Sequence, residues 1–101
     1  MKLSEVLTGP ETWQQGSLDN GRQRCLIGAL QFISGLESFT KYLLETQRLT
    51  RMIQAEYGPI VDVVEEARIG QIMCWNDARG RTWEEIAHVV EAYDRDRMLN
   101  P

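Results

Sequence analysis

The segment from Arg22 to Ser34 is apolar on nearly every side, and it constrains the fold more than any other part of the chain. Its apolar residues are Cys25, Leu26, Ile27, Ala29, Leu30, Phe32 and Ile33. A helix without a polar face has to be surrounded by other elements, so this segment is predicted to be a central helix. The pattern also fits a buried strand, but the length and the alanine and glutamine content favour a helix.

Two amphipathic segments follow the central helix. Residues 37 to 57 repeat apolar side chains at intervals of three and four, which predicts a long helix from Glu37 to Tyr57. Gly58 ends that helix, and Pro59 suits the first turn of the next one. This third helix is expected to continue past Gly70, where it would kink.

A polar stretch from Trp75 to Thr82 reads as a shaped turn before the last helix. Thr82 and Glu85 have the spacing of a capping box, in which each side chain satisfies a free backbone amide of the other residue. The last helix is therefore predicted to begin at Thr82 and to extend to about Arg97. The tail over residues 98–101 is expected to fray.

The first 21 residues are rich in glycine and polar turn residues, so they predict loops, with one short helix capped by Ser4 and ending at Leu7. A chain of 101 residues has the size of one domain. The predicted fold is all-α: a single domain over residues 1–101, with an irregular segment at 1–21 and a compact bundle of about four helices at 22–97.

The charge balance and the apolar runs exclude several classes of function. The net charge is −4, which argues against binding to a nucleic-acid backbone. No apolar run approaches the roughly 18 residues that span a membrane, and the first residues lack the pattern of a secretory signal. A cytoplasmic protein is therefore expected, with Cys25 and Cys74 as two buried thiols and no disulfide.

Short motifs along the chain resemble an uncharacterised family of small proteins from actinobacteria and their phages. They are Trp13-Gln14-Gln15-Gly16, Cys25-Leu26-Ile27-Gly28-Ala29, Trp75-Asn76-Asp77 and Gly80-Arg81-Thr82. The resemblance extends from about Trp13 to Tyr93, and the loop before Cys25 is shorter than in many relatives. It implies a shared fold and an actinobacterial or phage source, and it supplies no mechanism.

Cys25 is a candidate catalytic nucleophile. A helix N-terminus and the nearby positive charge of Arg22 and Arg24 would lower a thiol pKa, and His88 with Asp77 or Asn76 would complete a hydrolase of the cysteine-protease type. The apolar neighbours of Cys25 favour the alternative that it packs as a small buried hydrophobe. Zinc ligands of the right types are present in Cys25, Cys74, His88 and Asp77. The short spacings along the chain that usually join two zinc ligands are missing, so no metal site is predicted.

No cofactor is predicted either. Gly28 and Gly35 are not followed by the lysine and hydroxyl residue of a phosphate-binding loop, and Gly28 is expected to permit a close approach of helices. The acidic residues of the last helix read as a solvated face.

The motif around Trp75 admits two interpretations. In one, Trp75, Arg79 and Arg81 contact a partner, since Trp and Arg are enriched among binding hot spots. In the other, Trp75 closes the core and Asp77 bonds backbone amides or Arg81. The leading hypothesis is a non-enzymatic domain that binds a host or phage protein. The alternatives are a hydrolase or transferase that depends on Cys25 and a small structural component of a virion.

Overall fold

The computed structural model describes residues 1–34, 39–58 and 68–101. These residues form helices α1 (Leu26–Ser34), α2 (Phe39–Tyr57), α3 (Arg68–Asn76) and α4 (Trp83–Leu99), preceded by a 3-10 turn at Leu3–Glu5. The predicted all-α bundle with an irregular N-terminal segment is confirmed. The described part of the chain contains no strand, only isolated bridges from Trp13 and Asp19 to Arg24.

Helix α1 is the central helix that the apolar segment predicts. It packs against α2, α3 and the 3-10 turn, and its first five residues are all buried. Burial of each large apolar side chain stabilises the fold by about 1.5–3 kcal/mol. The helix begins at Leu26 and not at Arg22, because the carbonyls of Gln23 and Arg24 accept hydrogen bonds from the loop amides of Asn20 and Gln14 and not from a helical turn.

Helices α2 and α4 run antiparallel. Near the end of α2, the Tyr57 hydroxyl donates to the Glu85 carbonyl at 3.4 Å, close to the start of α4. In the first half of α2, Glu45 accepts a hydrogen bond of 2.5 Å from the hydroxyl of Tyr93. The first half of α2 therefore lies beside the second half of α4, and the end of α2 lies beside the start of α4.

Two helix ends differ from the sequence prediction. Trp75 and Asn76 are the last residues of α3 and not part of the turn, because the helical pattern continues to the Asp77 amide, which donates to the Met73 carbonyl at 2.9 Å. Helix α4 extends to Leu99, two residues beyond the predicted end at Arg97. The predicted start of α2 at Glu37 and the first part of the third helix, residues 59–67, lie outside the described residues.

The N-terminal turn is capped by a side chain from the other end of the chain. Asp94 of α4 accepts hydrogen bonds from the backbone amides of Leu3 at 2.8 Å and Ser4 at 3.1 Å. The turn is a 3-10 turn over Leu3–Glu5, so the prediction that Ser4 caps a helix ending at Leu7 is wrong. The Asp94 carboxylate, which the sequence analysis assigned to a solvated face, therefore fixes the N-terminal segment to the bundle.

Candidate functional site

The motif residues meet around Asn76, at the end of α3. Its side chain is fully buried and makes four hydrogen bonds. The carbonyl oxygen accepts from Trp13 Nε1 at 2.8 Å and from the Leu26 amide at 3.1 Å. The amide nitrogen donates to the Gln14 carbonyl at 3.1 Å and to Asp77 Oδ1 at 2.9 Å. Asn76 thus joins α3 to the N-terminal loop and to the first turn of α1, with every donor and acceptor of its side chain used.

Cys25 caps helix α1 at the same junction. Its Sγ accepts a hydrogen bond from the Gly28 amide at 3.4 Å, and its carbonyl accepts from the Ala29 amide at 2.9 Å. These are the contacts of an N-cap residue, with sulfur in place of the usual hydroxyl or carboxylate oxygen. The first free amides of α1 are therefore satisfied by Cys25 together with Asn76.

The loop before α1 is held tightly against this junction. The Leu18 carbonyl accepts from the Cys25 amide at 3.2 Å, and a Cβ added at Gly28 would lie 1.9 Å from that carbonyl oxygen. Gly28 thus allows a close approach of loop backbone, whereas a helix was expected there. Gly16 has a φ of 88°, which suits glycine, and its amide donates to Asp77 Oδ1 at 3.0 Å.

Cys25 does not have the environment of a reactive thiol. Burial raises the pKa of the Cys25 thiol above its ordinary value, and the negative charge of Asp77 acts in the same direction. The backbone amides at the helix start act in the opposite direction without reversing the shift. The sequence argument that the helix N-terminus and Arg22 would lower this pKa is wrong in sign, because desolvation dominates.

The other two residues of the hydrolase hypothesis, His88 and Asp77, have hydrogen-bond partners other than Cys25. His88 is 57% exposed on α4, where it contacts two residues of α2: Nε2 lies 3.2 Å from Glu56 Oε2, and Nδ1 lies 3.4 Å from the Tyr57 hydroxyl. Asp77 accepts from the Asn76 side chain and the Gly16 amide. The structure brings Cys25, Asn76 and Asp77 together and gives His88 different neighbours.

Cys74 is exposed, so the prediction of two buried thiols holds for Cys25 alone; both cysteines are free thiols. No three described histidine, cysteine or acidic side chains cluster closely enough to bind a metal ion, and none of the described helices has the length and hydrophobicity to cross a membrane.

The two thiols are expected to react at very different rates with iodoacetamide at neutral pH. Cys74 is exposed and should be alkylated within minutes, while Cys25 should stay unlabelled in the folded chain because it is 2% exposed and protonated. Peptide mass spectrometry over a time course measures both rates, and labelling in denaturant provides the control for complete reaction. Faster labelling of Cys25 than of Cys74 would revive the hydrolase hypothesis.

A second cluster, here termed the aromatic face, lies where α2 ends and α4 begins. It comprises Tyr57, Trp75, Arg81 and His88, which contact one another, and the exposed turn residue Arg79, which precedes Arg81 by two positions. The guanidinium of Arg81 lies 3.8 Å above the Trp75 ring, whose other neighbour is the Tyr57 ring at a centroid distance of 5.3 Å. The Tyr57 and His88 rings meet edge to face at 6.1 Å. The stack is thus built from three separate elements of the chain.

Hydrogen bonds fix Arg81 in this stack. Its Nε donates to the Trp75 carbonyl at 2.8 Å, and one terminal nitrogen forms an ion pair with Glu85 at 2.8 Å. Glu85 also accepts from the Thr82 amide, which completes the predicted capping box and lowers the pKa of the Glu85 carboxyl. Trp75 is only 8% exposed, whereas Arg79 and Tyr57 reach the surface. Of the residues assigned to partner contact from sequence, Arg79 is the accessible one.

A buried polar network between α2 and α4 escaped the sequence analysis. Glu45 is 9% exposed and accepts from the Tyr93 hydroxyl and from Arg48 Nε, and Arg48 also pairs with Asp96 at 2.7 Å. Glu45 and Asp96 therefore bind across the bundle instead of facing solvent. The expectation of a solvated acidic face on α4 is wrong for Asp94 and Asp96, each of which binds a partner on another element.

The matched region in a comparison with family models spans residues 2–95 and therefore includes the Asn76 junction and the aromatic face. The model is that of a family of unknown function, DUF6197. The chain belongs to the DUF6197 family. Comparison with curated proteins and with solved structures gives no match. Membership in DUF6197 agrees with the uncharacterised family expected from the motifs, and no activity comes with it.

Proposed function

We propose that the chain is a non-enzymatic protein–protein interaction domain whose partner contacts the aromatic face. The supporting observation is that Tyr57, Trp75 and Arg81 are already stacked and hydrogen-bonded in the free chain. Tyrosine, tryptophan and arginine dominate binding hot spots. Side chains ordered in advance lose little conformational freedom on binding, so more of the contact energy contributes to affinity.

The exposed residues of this surface are Arg79, Tyr57 and His88, whereas Trp75 and Arg81 are largely covered. In this proposal Arg79 and Tyr57 make the direct contacts, and Arg81 contributes its remaining exposed edge. Trp75 acts as the support that fixes the Tyr57 ring. The partner is a host or phage protein, a choice supported by the motif resemblance to actinobacterial and phage proteins.

The cytoplasm is the proposed location, since both cysteines are free thiols and one of them is exposed. A nucleic acid is not the proposed partner, because the chain carries a net charge of −4. The alternative hydrolase or transferase would need a thiolate at Cys25, and the environment of that thiol favours the protonated form.

Site-specific photocrosslinking in cells of the source organism tests the proposal. A benzophenone amino acid replaces Arg79 in one variant and Arg95 in the control, since both residues are exposed arginines and Arg95 lies on α4 near its opposite end. We expect one protein to crosslink from position 79 and not from position 95. Identical products from both positions, or no product from position 79, would contradict the proposal.

Binding of the crosslinked protein is then measured with purified components. Arg79→Ala is expected to weaken binding at least tenfold, or about 1.4 kcal/mol, while Arg95→Ala changes it less than twofold. Arg79 is an exposed turn residue, so the substitution should leave the fold intact, which circular dichroism checks. Equal affinities of the two variants would exclude the aromatic face as the contact surface.

A further inference from the structure

His88 is the chain's only histidine, and both nitrogens of its ring have partners on α2. Nε2 lies 3.2 Å from Glu56 Oε2, and Nδ1 lies 3.4 Å from the Tyr57 hydroxyl oxygen. Histidine is the side-chain type whose charge ordinarily changes between roughly pH 5 and 8. The single histidine of the molecule thus lies on the aromatic face, beside a residue that is proposed to contact the partner.

Glu56 selects which ring nitrogen carries the hydrogen of neutral His88. An ionised carboxylate accepts hydrogen bonds and cannot donate, so the nitrogen that faces Glu56 has to be the donor. Nε2 then carries the hydrogen, and Nδ1 is left with a lone pair. In the neutral ring, Nδ1 therefore faces the Tyr57 hydroxyl as an acceptor.

The Tyr57 hydroxyl has one proton and two acceptors within reach. Its oxygen lies 3.4 Å from the Glu85 carbonyl oxygen and 3.4 Å from Nδ1 of His88. Burial raises the pKa of this hydroxyl above its ordinary value, so the proton stays on Tyr57 at neutral and weakly acidic pH. One proton cannot form a full hydrogen bond to both acceptors. With neutral His88, the Glu85 carbonyl and Nδ1 therefore compete for it.

Protonation of His88 removes this competition. The imidazolium ring carries a hydrogen on each nitrogen, so Nδ1 changes from an acceptor to a donor. The Tyr57 oxygen then accepts from Nδ1, and the Tyr57 proton is directed to the Glu85 carbonyl. Nε2 continues to donate to Glu56. The result is a chain of three hydrogen bonds in which every donor meets one acceptor.

The charged groups around His88 come from both helices. The acids are Glu56 on α2 and, four residues before and three residues after His88 on α4, Glu84 and Glu91. Each carries a charge opposite to that of an imidazolium ring. Of the two cations on the aromatic face, Arg81 is paired with Glu85, and Arg79 is exposed in the turn.

From this geometry we infer that protonation of His88 fills both hydrogen-bonding roles of the Tyr57 hydroxyl and thereby makes the aromatic face a pH-dependent binding surface. With neutral His88, the Tyr57 oxygen is free to accept a hydrogen bond from a partner. With the imidazolium, the same oxygen already accepts from Nδ1. A partner that donates to Tyr57 therefore binds more weakly at low pH. The effect on binding rests on the proposed function, whereas the switch itself belongs to the free chain.

Nuclear magnetic resonance of the free full chain tests the switch without a partner. The nitrogen signals of the ring belong to one histidine, so they report the protonation of each ring atom of His88 directly. In the neutral ring we expect the hydrogen on Nε2. On acidification Nδ1 should gain a hydrogen, and the ring carbon signals of Tyr57 should shift with the same midpoint. A neutral ring with its hydrogen on Nδ1, or a Tyr57 signal that does not follow His88, would overturn the inference.

Two variants and one internal control accompany this titration. His88→Gln cannot titrate, so the Tyr57 signal should become independent of pH, and His88 is exposed enough for the variant to fold. Glu56→Gln offers both a donor and an acceptor to Nε2, so the neutral ring should become a mixture of the two tautomers. Tyr42, whose hydroxyl accepts from Gln31, should not respond in any variant. A Tyr57 response that persists in His88→Gln would assign the effect to another group and overturn the inference.

The effect on binding is measured with the protein that crosslinks from position 79. We expect its affinity to fall at least about threefold from about pH 7.5 to about pH 5.5, the net value of one hydrogen bond. This dependence should disappear in His88→Gln and in Tyr57→Phe, which excludes titration of the partner as its cause. An affinity that is equal at both pH values would overturn the pH-dependent surface. If the resonance signals show the switch and nothing crosslinks from position 79, the proposed function fails and the switch stands.

Discussion

Replacement of Asn76 by alanine is expected to lower the free energy of unfolding by about 3–4 kcal/mol. The substitution leaves Trp13 Nε1 and the Leu26 amide without their acceptor, and it leaves the Gln14 carbonyl without its donor. Each buried polar group left unpaired costs about 1–3 kcal/mol. Water can reach part of the emptied site, so the total stays below the sum of the separate costs. Urea unfolding monitored by tryptophan fluorescence measures the change.

Asn100→Ala is the control for this experiment. Asn100 is exposed and donates a hydrogen bond of 3.2 Å to Asp96, so its loss should cost at most about 1 kcal/mol. If Asn76→Ala costs no more than Asn100→Ala, the Asn76 hydrogen bonds do not hold the N-terminal loop, and the structural role given to the motif residues is wrong.

The parts of the fold that depend on local pattern could be predicted from the sequence. The apolar character of the segment predicts a central position, and α1 has it over residues 26–30, whereas Gln31 and Phe32 are exposed. The capping box at Thr82 and Glu85 sets the start of α4 through contacts three residues apart. Such features depend on neighbours along the chain, so a single sequence contains them.

The features of the fold that depend on contacts between residues far apart in the sequence could not be predicted. Asn76 was predicted to be a turn residue from its local propensity. Its role depends on hydrogen-bond partners that lie 50 to 63 residues away along the chain, which the sequence does not indicate. Asp94 reads as a solvated acid because the amides that it caps are at the N-terminus. The type of a polar residue indicates which local backbone conformation it prefers. The distant residue to which it bonds is known only from the folded structure.

Cys25 shows how one physical effect can reverse another. The sequence placed it correctly near a helix start, where the helix dipole lowers a thiol pKa. Complete packing at the start of α1 removes water from the thiol, and this desolvation has the larger effect. Position along a helix could be predicted, but the depth of burial could not.

The residues that carry the family resemblance serve the fold of this chain. Gly16 and Gly80 have positive φ angles of 88° and 85°, Cys25 caps α1, and Asn76 joins three segments. The positive φ angles favour glycine, and the role of Asn76 uses both the donor and the acceptor of its amide, while Cys25 supplies the cap from a buried position. A resemblance built on such residues therefore identifies the fold.

Gly28→Ala is expected to destabilise the chain by about 3 kcal/mol, although alanine is the better helix former. The new Cβ would lie 1.9 Å from the Leu18 carbonyl oxygen, and both atoms belong to or adjoin backbone that cannot rotate away. Relief of the clash requires the loop to move, which breaks the hydrogen bond from the Cys25 amide to the same carbonyl. Thermal and urea unfolding measure the loss.

Gly70→Ala is the matched control, because Gly70 is also helical and a Cβ added there meets nothing within 4 Å. It should stabilise the chain by about 0.5–1 kcal/mol through helix propensity and a less flexible unfolded state. The two substitutions are expected to change the free energy of unfolding in opposite directions. The comparison therefore distinguishes the clash with the Leu18 loop from the general cost of glycine in a helix. If Gly28→Ala stabilises the chain as Gly70→Ala does, then the loop does not pack against α1 at this distance, and the capping arrangement at Cys25 would have to be revised with it.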